Sequence, residues 1–123
     1  VPEIAEDVRA NLAGGDTGHA LRMLMDGVNR LPSALSADRL DEALTDFPTT
    51  GDHRWDALLK GAVRYRLHQM GRKAPAWTKV EPLKQFWWPV AYSKEKAYVD
   101  MAHTPAELMR IGIFIDEREF TQA

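Results

Sequence analysis

Residues 52–71 read DHRWDALLKGAVRYRLHQMG, and this run decides the fold. Trp55, Leu58, Leu59, Ala62, Val63, Leu67 and Met70 recur at spacings of three and four, which puts them on one broad helical face. Lys60, Arg64 and Gln69 fall off that face. Asp52 is a good N-cap, because its short carboxylate can accept from the first free backbone N–H groups. Gly71 suits the left-handed position just past a helix, and Pro75 prevents continuation. The spacing predicts a helix from about Asp52 to Met70, the longest in the chain.

Upstream, Ile4, Val8 and Leu12 recur at i, i+4 and i+8, with Pro2 in the first turn and Glu3 and Glu6 complementing the helix dipole. Gly14-Gly15 ends this run. Asp16 or Thr17 caps a second helix, whose apolar positions are Ala20, Leu21, Leu24, Met25, Val28 and Leu31, stopped by Pro32. A third, shorter helix is expected from Ser36 through Leu40, Ala43 and Leu44. Phe47-Pro48-Thr49-Thr50-Gly51 is a breaker cluster.

Downstream, Glu81–Trp88 reads as a short helix ended by Pro89, and Val90-Ala91-Tyr92 fits either class. Ser93 caps a helical turn through Ala97 and Met101. Thr104-Pro105-Ala106-Glu107 has the form of a capping box with proline at the first helical position. That helix carries Leu108 and Met109 and ends at Gly112, and Ile113-Phe114-Ile115 could be a short strand. The expected architecture is mostly α: a single compact helical domain spanning residues 1–123, of about five to six helices, with a minor short-strand element near the C-terminus.

At 123 residues the chain suits one domain with a real core. It has no cysteine, which excludes disulfides and thiolate metal sites and fits a cytoplasmic protein. Neither a leader nor an apolar run of the roughly 20 residues that span a bilayer is evident, so no membrane association is expected. The net charge of −2 hides an uneven distribution. Residues 1–52 carry −6, residues 53–79 carry +6 and residues 80–123 carry −2. Either the acidic and basic parts face each other within the fold, or a basic face meets an acidic partner or nucleic acid.

Nothing in the residue pattern identifies a reaction. The histidines lack the paired helical spacing of a zinc protease, and no nucleophile elbow is present. Gly14-Gly15-Asp16-Thr17-Gly18 lacks the lysine of a phosphate loop and reads as a helix connector. His53 beside Asp52 and Asp56 could form a metal or acid–base corner, but capping and dipole compensation at a helix N-terminus account for these residues. No catalytic residue, metal or cofactor is therefore expected.

Half of the lysines and arginines and all four tryptophans crowd into residues 53–89. Arg64, Arg72 and Lys73 are expected on the exposed side or at the end of the long helix, with Tyr65 and Trp77 available for stacking on bases. The acidic flanks argue against direct nucleic-acid binding. In Phe86-Trp87-Trp88-Pro89, adjacent indoles on a helix would point about 100° apart. One would pack into the core with Trp55, and the other would lie at an edge where aromatic anchors mark partner surfaces.

Several motifs together resemble one family. They are Thr50-Gly51-Asp52-His53-Arg54-Trp55-Asp56-Ala57-Leu58-Leu59, Ala74-Pro75-Ala76-Trp77-Thr78, Phe86-Trp87-Trp88-Pro89, Thr104-Pro105-Ala106-Glu107-Leu108 and Gly112-Ile113-Phe114-Ile115. In this order, over roughly residues 20–123, the chain is similar to the C-terminal region of actinobacterial helix-turn-helix regulators of the Xre type. Some of these look like antitoxins encoded beside a nucleotidyltransferase-like toxin. Such proteins begin with a DNA-binding domain, for which the helical pattern here leaves no room, so DNA binding is not carried over. The resemblance implies a non-enzymatic domain that binds and occludes a partner protein. The candidate partner-binding residues are Arg64, Arg72, Lys73, Trp77 and Trp87. The alternatives are an accessory regulatory domain that binds nucleic acid or a small ligand, and an enzyme with its site near Asp52, His53 and Asp56.

Overall fold

The computed structural model describes residues 1–32, 39, 43–90 and 93–120. Among these residues the protein is mostly α. It has α1 (Pro2–Ala13), α2 (Thr17–Asn29), α3 (His53–Gln69), α4 (Lys94–His103) and α5 (Ala106–Met109). Single 3-10 turns lie at Ala76–Thr78 and Glu117–Phe120.

The first two helices form where their caps and apolar spacing demand. Pro2 opens α1, and α1 buries Ala5 and Val8. Asp16 opens α2 by accepting from the His19 N–H at 2.9 Å. α2 then buries Ala20, Leu21, Leu24, Met25 and Val28 against α1, to which a short glycine turn returns it.

The breaker cluster before α3 is tied down by carboxylates. The Asp56 side chain accepts from Thr49 Oγ1 at 2.7 Å, from Thr50 N at 2.7 Å and from Thr50 Oγ1 at 2.5 Å. Asp52 accepts from Arg54 N at 2.8 Å and Trp55 N at 3.4 Å. α3 is the central element, packed against α2, α5 and the Ala76–Thr78 turn. Leu58, Leu59 and Leu67 are fully buried on it, and each such burial contributes roughly 1.5–3 kcal/mol relative to exposure. Gly71 follows with φ +72°, the left-handed end that the sequence predicts. α5 approaches α3 at Gly61, where a Cβ would stand 2.8 Å from Leu108 Cδ2 and 3.1 Å from Ile111 Cδ1.

Three expectations are corrected. Glu81–Trp88 is not a helix. It runs irregularly along residues 111–114, with Leu83 N donating to Ile111 O, Trp87 N to Gly112 O and Phe114 N to Trp87 O, all at 2.9 Å. This non-local pairing replaces helical hydrogen bonds in a segment already interrupted by Pro82 and closed by Pro89. Correspondingly, the expected strand at Ile113-Phe114-Ile115 shrinks to one parallel bridge between Trp87 and Ile113. Thr104, expected as an N-cap, instead ends α4: its hydroxyl donates to Asp100 O at 2.5 Å and accepts from Ile115 N at 3.1 Å. Pro105 stands at the N-cap of α5 with no side-chain cap, and Glu107 turns to His68 rather than to the backbone.

The helix expected from Ser36 to Leu44 lies largely outside the described residues, as do Ala91 and Tyr92 of the ambiguous segment. Ser93 does cap α4, accepting from Lys96 N at 3.1 Å.

Candidate functional site

The sequence-predicted residues divide into two groups. Trp77 and Trp87 are half-buried and held by their own chain. Trp77 Nε1 donates to Leu44 O at 3.0 Å, and its ring meets Phe47 edge-on at 6.0 Å. Trp87 packs on Trp55 at 5.4 Å between centroids, with the Arg54 guanidinium 5.0 Å over its ring. Arg64, expected in the open, is half-buried because the loop after α3 folds over it, and its Nη1 donates to Thr78 Oγ1 at 3.3 Å. Arg72 and Lys73 are exposed at the end of α3.

The Asp52–His53–Asp56 corner is structural in its bonding. Asp56 holds backbone and hydroxyl groups of the turn before α3, and Asp52 caps the first backbone N–H groups of α3. A hollow of about 410 Å³ lies beside the corner, and Asp52 lines it while His53 and Asp56 do not. No group of three or more metal-ligating side chains occurs among the described residues.

Among the described residues, most of the acidic and basic segments do not pair. Among the described residues, the ion pair joining them is Arg54 to Asp52, two positions apart. Basic side chains instead converge on a cleft of about 160 Å³ between α3, α5 and residues 78–80, lined by Arg64, Lys79, Arg110 and Glu107 among others. Lys79 and Arg110 escaped the sequence reading because they come from segments remote from α3. Glu107 Oε1 pairs with His68 Nδ1 across the α3–α5 contact, while Glu107 Oε2 is buried with no hydrogen-bond partner among the described residues.

A second surface was also invisible in the sequence. α4 turns its apolar residues outward: Tyr98 is 69% exposed, and Val99 and Met101 are exposed as well. Its buried residue is Asp100, at 0% exposure, which accepts from Lys96 Nζ at 2.7 Å. An aromatic row continues from this helix. Trp88 Nε1 donates to Ala97 O at 3.3 Å, Trp88 stacks on Phe114 at 4.9 Å, and Phe114 meets Phe86 edge-on at 5.2 Å. Phe86 is 67% exposed. The aromatic run thus does present an edge, but at Phe86 rather than at Trp87.

No protein-family model, curated protein or solved structure matches the chain. Among the described residues no helix is long and apolar enough to cross a membrane.

Proposed function

We propose that this chain is a non-enzymatic interaction domain, antitoxin-like or regulatory, that binds and occludes a partner protein. The observation that carries the reading is the inverted helix α4, with Tyr98, Val99 and Met101 outside and Asp100 inside. A helix that turns apolar residues to water gains nothing from them until another surface covers them. Phe86 extends this apolar edge along the aromatic row.

Charge narrows the partner. Lys94 lies one turn before Tyr98, and Lys84 stands two residues before Phe86, both exposed. Arg72 and Lys73 add exposed positive charge at the end of α3. An apolar surface rimmed by carboxylates would complement this edge. The carboxylate-lined site of a nucleotidyltransferase-like protein, the partner implied by the family resemblance, has that chemistry. Aromatic anchors would then supply most of the affinity, and the basic rim would steer encounter. Such a role belongs in the cytoplasm, where a toxin of that kind would act.

The deciding experiment is copurification from the native host at physiological salt, with a Tyr98→Glu, Met101→Glu chain beside the parent. A stoichiometric, nucleotidyltransferase-like partner that the double variant fails to retain is the expected result. A parent chain that returns alone, or a partner retained equally by the double variant, would overturn the reading.

A further inference from the structure

We infer that the cleft between α3, α5 and residues 78–80 is a binding site for a phosphate dianion that carries a hydrogen-bond donor. This site is distinct from the α4 edge and does not depend on the interaction reading. Arg64, Lys79 and Arg110 line it against a single carboxylate, Glu107, so its formal charge is complementary to a dianion. The three cations come from separate elements. Among the described residues none of them has an ion pair that would already neutralise it.

The cleft is partly organised in advance. Arg64 donates to Thr78 Oγ1 at 3.3 Å, and the Thr78 hydroxyl donates to Pro75 O at 2.6 Å, fixing the hydroxyl and restraining the guanidinium. Thr78 itself is fully buried. Gly61 forms part of the wall, where the missing side chain keeps α3 close to α5. A volume of about 160 Å³ admits a phosphate group with a small substituent and is too small for a nucleotide.

Glu107 sets the selectivity. Its Oε1 is taken by His68, and its Oε2 is a buried acceptor without a donor among the described residues. Glu107 is the one carboxylate in the lining, so a ligand that turns a donor toward it avoids like-charge repulsion. Hydrogenphosphate has one P–OH for this purpose, and a small phosphomonoester can offer an ammonium or hydroxyl group. Sulfate is a dianion of nearly the same shape with no proton to donate, so it would bring an anion against the Glu107 carboxylate with no hydrogen bond between them.

The test is an NMR titration of amide resonances in the whole chain with inorganic phosphate and, separately, phosphoethanolamine, at constant ionic strength near neutral pH. Expected are saturable shifts centred on Gly61, Thr78, Lys79 and Ile111. Arg110→Gln should weaken binding ~10-fold or more. Arg72→Gln, outside the cleft, should not change it, and sulfate should bind at least ~10-fold less tightly. Arg110 and Lys79 are exposed, so Lys79→Gln serves as a second variant if Arg110→Gln perturbs folding. Non-saturating shifts spread over all basic residues, equal affinity for sulfate, or indifference to both cleft variants would overturn the proposal.

Discussion

The Trp87 indole packs on Trp55 at 5.4 Å and 70°, and this contact fastens the segment before α4 to the start of the central helix. Trp55 is buried, while Trp87 is covered on another side by Arg54. Truncating Trp87 removes the edge contact, the cation–π contact and much apolar area. Trp87→Ala should therefore destabilise the fold by about 2–4 kcal/mol, and Trp87→Phe by clearly less. Urea unfolding followed by circular dichroism measures both.

Gly61 carries a steric prediction. A methyl group there would press on Leu108 Cδ2 at 2.8 Å, and the buried Leu108 side chain would have to shift. Gly61→Ala gains helix propensity on α3 but overpacks the α3–α5 contact, for a net loss of about 1–3 kcal/mol. Pairing it with Leu108→Ala should recover part of that loss relative to the sum of the single changes, which a double-mutant cycle reads directly.

Acid stability should depend on Asp116. Arg118 donates to its carboxylate from Nε at 3.0 Å and Nη2 at 2.6 Å, and this lowers the Asp116 carboxyl from 3.8 to about 2. A depressed carboxyl stabilises the folded state above its unfolded value and loses that contribution as pH falls through its folded value. The stability difference between the parent chain and Asp116→Asn should be constant above about pH 5 and shrink toward about pH 2. A difference unchanged across that range would remove the ion pair from the account.

Tyr98 and Met101 should prove silent in the isolated chain. Both are exposed on α4, so Tyr98→Ser and Met101→Ser should each alter stability by less than about 0.5 kcal/mol. Asp100→Ala removes a buried carboxylate and strands its Lys96 partner, and should cost more than either. Thermal melts of the three variants rank them. If the serine changes cost as much as Asp100→Ala, α4 does not turn outward.

The elements legible in the sequence are those whose signals are local. Asp52, the stripe through Leu67 and Gly71 each act within a turn or two of backbone, and α3 begins and ends where they require. The segment 81–88 misleads because its aromatic residues satisfy a helical reading while their actual partners lie on residues 111–114. Thr104 misleads for a related reason: its hydroxyl serves Ile115 N, a donor that no capping pattern contains. Arg66 is the sharpest omission. It is 6% exposed and donates to Phe120 O at 3.2 Å, although a basic residue on a helix reads as solvent-facing. Of the basic cleft only Arg64 stood out beforehand, because a site assembled from α3, a loop and α5 leaves no spacing rule in the chain.

The placement of the indoles has a practical consequence. Trp55 lies on α3, and Trp77, Trp87 and Trp88 lie in the stretch that follows it, while α1 and α2 have none. Intrinsic fluorescence therefore watches mainly the second half closing over the central helix, and senses the first two helices through Trp55 alone, which shares a hollow with Arg9, Leu12, Ala13 and Thr17. Backbone circular dichroism sees both. Coincident unfolding curves from the two probes would mean that the halves melt as one cooperative unit, and a dichroic loss that precedes the emission change would show α1 and α2 coming away first.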